Sequence, residues 1–318
     1  MTPPTTAHRR PGLEDAPVVC DAPRSAELLD YPSLVQAIAL AAAQFEAGEI
    51  QSPDRLVVPL GEGGVMLSMP ATAADIGVHK LVNVQPGNRQ RQLPTIHGLV
   101  TVCAADTGRP LCLLDGPQLT GRRTAAVSML AMRELLAAPP DEVLLIGTGV
   151  QARHHVQALQ ALYPRCRIWV RGARAASAEA FCEDAGAASQ RLDVLAGPIP
   201  DAVQAVFTLT TSTEPVYDEP ARRDRVVIGV GAFKPQMAEI GRTTLQGSQL
   251  HADDPAAARH EAGDLMRAGV DWSTVRSLAA LLRDGADRRR PQVFKSVGTA
   301  AWDLAAARVA LSHLNPRA

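Results

Sequence analysis

Aromatic residues are scarce in this chain, at 3% of its 318 residues. Its interior must therefore be built from Ala, Val, Leu and Ile, which suits helices packed closely on a sheet. An excess of charge of one sign is also missing: 32 Lys+Arg stand against 33 Asp+Glu, for a formal net charge of −1. A nucleic-acid binder normally shows a basic face or stripe, so that partner class is disfavoured. No apolar run approaches the roughly 18 residues of a membrane span, so no membrane partner is expected. The opening MTPPTTAHRRPGLEDAP is polar and Pro-rich and lacks the apolar centre of a secretory signal, so residues 1–20 read as a flexible tail. The cysteines Cys20, Cys103, Cys112, Cys166 and Cys182 form no C-x-x-C pair. Reduced thiols of a cytoplasmic protein are expected, and no metal site. What is present is a 46% hydrophobic content, enough for packed cores. At roughly 150 residues per domain the length corresponds to about two domains.

After the tail, Leu34, Ile38, Ala41, Ala42 and Phe45 fall at helical spacing, with Asp30 or Ser33 as cap and Gly48 at the end. Short β-like runs follow at Arg55–Leu60, Val65–Met69, His79–Val84, Leu99–Cys103 and Leu111–Leu114, separated by turn residues. Strands in succession without helices between them predict an antiparallel or mixed sheet, that is, an α+β region. A helix is predicted over Gln118–Ala137, stopped by Pro139 and Pro140. Strand and helix then alternate: Glu142–Ile146, Gln151–Leu162, Arg167–Val170, Ala175–Ala185, with further strands at Ala202–Leu209 and Arg225–Val230. That alternation predicts parallel strands with crossover helices, an α/β doubly wound arrangement. GTAAWDLAAARVALSHL reads as a final helix returning to the first region.

The most legible motif is DEVLLIGTGVQARHHVQAL, in which a short apolar strand runs into Gly147-Thr148-Gly149-Val150-Gln151-Ala152. This is the G-x-G-x-x-A form of a dinucleotide fingerprint. Gly147 allows the tight turn, Gly149 removes the Cβ that would block a pyrophosphate, and Ala152 lets the helix pack on the strand. The helix N-terminus then aims unpaired N–H groups at the phosphates. An NAD site usually presents an acid at the end of the next strand. Here that strand ends in Arg171-Gly172-Ala173-Arg174, with no acid until Glu179. A guanidinium pairs a 2′-phosphate, so NADP is favoured, with NADPH preferred and NADH also usable. Thr210 and Thr211 end a later strand where the chain approaches the cofactor.

The segments KLVNVQPGNRQRQLPTIHGLV, DTGRPLCLLDGPQLTGRRTAA, LLIGTGVQA and FKSVGTAAWDLAAA lie in order along the chain. Together they resemble the ornithine cyclodeaminase/μ-crystallin family. The resemblance implies a homodimer of two-domain subunits, with a Rossmann-type NADP-binding domain (126–299) inserted into a substrate-binding and dimerisation domain (21–125 plus 300–318). It also implies that Arg55 in PDRLVVPL and Arg123 in LTGRRTAA hold a substrate carboxylate, and that Lys80 in GVHKLVNVQPGN is the active-site lysine. Two guanidiniums clamp a carboxylate in a fixed plane. A lysine beside them, its pKa lowered by burial and like charge, can give or take a proton.

Cyclodeaminases of the family carry an Asp two positions before a Pro in the stretch that reads here Gly231-Ala232-Phe233-Lys234-Pro235. Phe233 stands in that place, and an apolar ring neither accepts a proton nor bonds an ammonium. The pattern GAF-x-P-x-M-x-E resembles reductases of Δ1-pyrroline-2-carboxylate and Δ1-piperideine-2-carboxylate. The implied function is NADPH-dependent reduction of a cyclic imine carboxylate to L-proline or L-pipecolate, in a cleft with no acid available for deamination. The rivals are an NAD-dependent cyclodeaminase or amino-acid dehydrogenase, and a cofactor-dependent binding protein without turnover. His97 in LPTIHG is expected near the substrate, and Ser296 and Gly298 in KSVGT near the cofactor. Asp303 and Glu239 are possible polar partners in the cleft. His154 and His155 read as solvent or interdomain residues.

Overall fold

The structure is a computed structural model that describes residues 16–185 and 191–314. Strand β1 is Val18–Val19, followed by helices α1, Ala22–Glu27, and α2, Tyr31–Glu46. Strands β2 (Leu56–Leu60), β3 (Gly64–Thr72), β4 (Ile76–Val84), β5 (Ile96–Ala104) and β6 (Pro110–Asp115) make an antiparallel meander. The first strand joins its edge in parallel, giving a six-stranded mixed sheet. The predicted flexible tail is thus too long at its inner end. Val18 and Val19 pair with Cys112 and Leu113, because the edge of β6 offers backbone groups that otherwise lack a ladder partner. The rest of the predicted tail, 1–15, lies outside the described residues.

Helix α3, Gly116–Leu135, leads to the second sheet. There follow β7 (Glu142–Ile146), α4 (Val150–Leu162), β8 (Arg167–Arg171), α5 (Ala175–Ala185), β9 (Leu192–Val194), β10 (Ala205–Thr208) and β11 (Val226–Gly229). Then come α6 (Arg242–Gln246), β12 (Gln249–Ala252), α7 (Pro255–Glu261), α8 (Gly263–Ala268), β13 (Arg276–Ser277), α9 (Leu278–Asp284), β14 (Gln292–Lys295) and α10 (Ala300–Leu314). The sheet is parallel throughout, in the order β13-β12-β14-β11-β10-β7-β8-β9. The chain is therefore mixed α/β with a Rossmann-type doubly wound sheet, as the alternation predicts. The elements between Gly241 and Pro291 carry no strong periodic signal, being mostly four to seven residues long.

Local chemistry sets the helix ends. Asp30, Asp115 and Asp254 each accept from a first-turn N–H, each with a Pro beside it at the helix start. Helix α10 is buried on nearly every side, as its run of Ala requires, and packs on α2, α3, β3 and β4. Alanine lets it approach the sheet closely, which explains how so few aromatics suffice. Residue 126 lies inside the uninterrupted α3, so the expected domain boundary cuts one helix. Among the described residues no helix is long and apolar enough to cross a membrane.

Candidate active site

Strand order reverses between β7 and β10, and ligands of such sheets bind at the carboxyl ends of the strands there. Gly147 leaves β7 at φ +129, and a Cβ on it would stand 2.6 Å from the Leu209 carbonyl oxygen, so only glycine fits. Gly149 caps α4 without a side-chain hydrogen bond, and open space lies where its Cβ would be. Val150 is exposed, Ala152 is fully buried, and Gln151 holds a buried Oε1 with no partner among the described residues. An open approach to free first-turn N–H groups beside an unpaired polar atom fits a dinucleotide pyrophosphate. Arg171, at the end of β8, donates Nη2 to the Gly197 carbonyl at 2.6 Å, and Arg174 is exposed just beyond it.

On β10's exit, Thr210 donates both its N–H (2.5 Å) and its hydroxyl (2.9 Å) to Glu239 Oε1. The other oxygen of Glu239 accepts from Gly231 N–H at 2.6 Å and Ala232 N–H at 2.9 Å. This fully buried carboxylate staples together the loops leaving β10 and β11, and Thr211 is left exposed. Glu239 thus shapes the cleft rather than facing it.

The cations arrive from separate elements. Lys80 is on β4, paired with Met69 and Val100, so it points with the core-facing residues toward α10. There its Nζ lies 2.6 Å from Asp303 Oδ2, and Arg123 Nε on α3 donates to Asp303 Oδ1 at 3.0 Å. All three side chains are buried. Loss of solvation lowers the Lys80 pKa to about 8, the Asp303 charge opposing the fall and the Arg123 and Arg55 charges adding to it. Arg55 precedes β2 and donates Nη2 to the carbonyls of Val297 (3.2 Å) and Gly298 (2.8 Å) and to Glu261 Oε2 (2.8 Å). Gly298, at φ +82, also lies against Arg123: a Cβ there would be 3.0 Å from Nη1. The loop after β14 therefore touches both arginines.

That loop is itself pinned. Buried Asp253 accepts from Ser296 Oγ, Val297 N–H, Gly298 N–H and Trp302 Nε1. Lys295, just before it, is paired with Asp264 at 3.0 Å, both fully buried. A cavity of about 430 Å³ opens beside Arg55, lined by Phe233, Val57, Leu67, Val84, Lys234 and Glu261 among others. Phe233 and Arg55 thus share one wall system, at the same edge of the parallel sheet as the glycine turn.

One expectation needs correction. His97 pairs with Asn83, three residues from Lys80 along β4. Side chains alternate along a strand, so His97 belongs to the opposite face of the sheet, where it is exposed. Within one chain it does not join the cations. The cleft also holds acids: Asp303, named above as a possible polar partner, lies between Lys80 and Arg123, and Glu261 pairs with Arg55. Buried cations require partners, so this outcome follows from burial itself. Sequence reasoning flagged Asp303 but missed Asp253 and Glu261; the signal was the acid-rich run Asp253-Asp254 to Glu261 beginning a helix. His154 and His155 are buried, with His155 Nε2 2.9 Å from Ser128 Oγ.

The profile of the "Ornithine cyclodeaminase/mu-crystallin family" matches residues 19–315. The Δ1-pyrroline-2-carboxylate/Δ1-piperideine-2-carboxylate reductase of Azospirillum brasilense is 55% identical over 300 residues, 94% of this chain and 96% of that protein. The Δ1-pyrroline-2-carboxylate reductase 2 of Burkholderia ambifaria is 54% identical over 298 residues, 93% and 96% of the two chains. Among solved structures, the Thermococcus litoralis Δ1-pyrroline-2-carboxylate reductase in complex with NADH and L-proline superposes with a TM-score of 0.81. It is 22% identical, over 93% of this chain and 98% of that one, a likeness of fold.

Proposed function

Because the chain belongs to the ornithine cyclodeaminase/mu-crystallin family, we propose that it is an NAD(P)H-dependent reductase of cyclic imine carboxylates. Its substrates are Δ1-pyrroline-2-carboxylate and Δ1-piperideine-2-carboxylate, and its products L-proline and L-pipecolate. The observation that carries this reading is the gathering of Arg55 and Arg123 on the loop after β14, with Lys80 behind Asp303 and Phe233 on the adjoining cavity wall.

When bound, a reduced nicotinamide supplies the hydride that, with one proton, turns the C=N bond into CH–NH. The turn Gly147-Thr148-Gly149-Val150-Gln151 would hold its pyrophosphate, with buried Ala152 packing the helix behind it. Thr210, Thr211, Ser296 and Gly298 border its nicotinamide end. Arg55 and Arg123 take the substrate carboxylate: Asp303 occupies Nε of Arg123, and its two Nη groups have no hydrogen-bond partner among the described residues, which leaves them for a ligand. Lys80, with a pKa near 8, is mostly protonated at neutral pH and holds a proton within the cation cluster. Phe233 covers the flat ring and keeps water from it. No acid stands at the Phe233 position to serve deamination, which disfavours a cyclodeaminase.

For the cofactor, the pair Arg171 and Arg174 at the end of β8, with no acid beside them, supports NADPH over NADH. We assign 126–299 to cofactor binding and 21–125 plus 300–318 to substrate binding and dimerisation, α3 bridging the two. The solvent face of the six-stranded sheet supports a homodimer: Leu56, Val58 and Leu99 are large apolar residues exposed on that one face. Such a patch favours burial against a second copy. The test is steady-state oxidation of NADPH and NADH with each imine, for wild type and Lys80→Ala, with product identified by chromatography. Turnover with both rings, faster with NADPH and nearly lost in Lys80→Ala, is expected. No turnover with either imine rejects the reading.

A further inference from the structure

Arg55 already holds a carboxylate in this structure, and that carboxylate is the protein's own. Glu261 closes α7, faces the same cavity as Phe233, and places Oε2 2.8 Å from Arg55 Nη2. An incoming ligand carboxylate that reaches Arg55 meets Glu261 already bonded to the same guanidinium. We infer that Glu261 is a built-in competitor for Arg55: the substrate carboxylate displaces it, and the displaced Glu261 takes a proton from water, so that binding of a ring carboxylate is coupled to proton uptake. This rests on the assignment of Arg55 to the substrate carboxylate.

The surroundings favour the uptake. Arg55 is the cation paired with Glu261, whereas Asp54 stands beside Arg55, and Asp253 and Asp254 leave β12 on the same side. Asp253 cannot relieve the crowding, because its oxygens are taken by Ser296, Val297, Gly298 and Trp302. His260 and Lys234 lie on the cavity wall. Burial, joined by the charges of Asp253, Asp54 and Asp254, already pushes the Glu261 carboxyl up to about 7, against the pull of Arg55. When Arg55 turns to a ligand, that pull is lost and the carboxyl rises further, so it is protonated at neutral pH. Above about pH 7 an ionised Glu261 contests Arg55, and affinity for a ring carboxylate falls by up to about tenfold per pH unit. Below it, Arg55 is uncontested and affinity is flat.

The test uses cyclopent-1-ene-1-carboxylate, a flat five-membered ring carboxylate with no titratable nitrogen, and the full chain saturated with oxidised cofactor. Calorimetry in two buffers of different ionisation enthalpy counts protons at about pH 7.5. Wild type is expected to take up half a proton or more per ligand, roughly, and to bind more weakly as pH rises. Glu261→Gln is expected to lose the uptake, bind severalfold more tightly, and show no such pH dependence. Uptake that persists unchanged in Glu261→Gln belongs to another group, Lys80 foremost, and overturns the inference. So does weaker binding by a Glu261→Gln protein whose cofactor affinity is intact, or an absence of uptake in wild type, which needs no variant. Arg55→Ala separates the two levels of the argument. If it binds the probe as well as wild type does, the assignment of Arg55 fails. If it binds poorly while Glu261→Gln matches wild type, only the displacement fails.

Discussion

Asp303→Asn is the substitution that probes the cation cluster most sharply. The wild-type carboxylate is fully buried and shared, 2.6 Å from Lys80 Nζ and 3.0 Å from Arg123 Nε. Neutralising it leaves two buried cations facing each other, and stranding a buried charge in this way costs about 3–5 kcal/mol. Lys80 has a cheaper escape. Its pKa is about 8 with the Asp303 charge in place, so shedding its proton at pH 7 costs only about 1.4 kcal/mol. The variant should therefore carry a Lys80 at least half neutral at pH 7, its pKa lowered by at least about one unit. The assay is kcat/KM for imine reduction against pH. The alkaline limb should move down by about one pH unit or more, and kcat/KM at pH 7 should fall about twofold for a one-unit shift and about tenfold for a two-unit shift. The substrate's own titration is common to both proteins and cancels in the comparison. An alkaline limb at or above the wild-type position, in a variant that still binds cofactor, refutes the reasoning.

Three further outcomes are expected. Lys80 has a folded-state pKa of about 8 against 10.5 for the free side chain, so the unfolded chain binds the extra proton between those values. Stability should thus rise by about 3 kcal/mol from pH 8 to pH 10.5; Lys80→Met should lack that component, so the difference in Tm between the two proteins should change over this range, and a constant difference contradicts it. Gly298→Ala should lose about 1–2 kcal/mol, because φ +82 suits glycine and the new methyl meets Arg123 at 3.0 Å. Denaturant unfolding reads the loss, and KM for the imine should rise with it; an unchanged KM means the loop does not set Arg123. Arg171→Ala should raise KM for NADPH about tenfold or more while leaving NADH within about twofold; equal losses for both would show that Arg171 does not read the 2′-phosphate.

Much of this was legible in the sequence because periodic signals are local. The glycine turn, the strand before it and the helix after it stand as predicted, since G-x-G-x-x-A constrains backbone shape at fixed spacing. The antiparallel meander was equally visible in its alternating runs. The convergence of Arg55, Lys80 and Arg123 was not, because they come from the start of one strand, the middle of another and a helix. Only the family resemblance had placed them together. His97 failed through strand parity, a matter of one residue of register that a motif does not encode. Asp253 and Glu261 carry no such periodic signal because they lie among short elements, where a cap, a staple and a competing carboxylate look alike in one dimension. Val18 and Val19 look like tail in the sequence because a two-residue edge strand leaves no pattern.

The most direct measurement is a crystal structure of the protein with L-proline and oxidised cofactor bound. The proline carboxylate should lie within hydrogen-bond distance of Arg55 and Arg123, with its ring against Phe233 and its nitrogen toward Lys80. A carboxylate held elsewhere, with the arginines still turned to Glu261 and Asp303, would contradict the account.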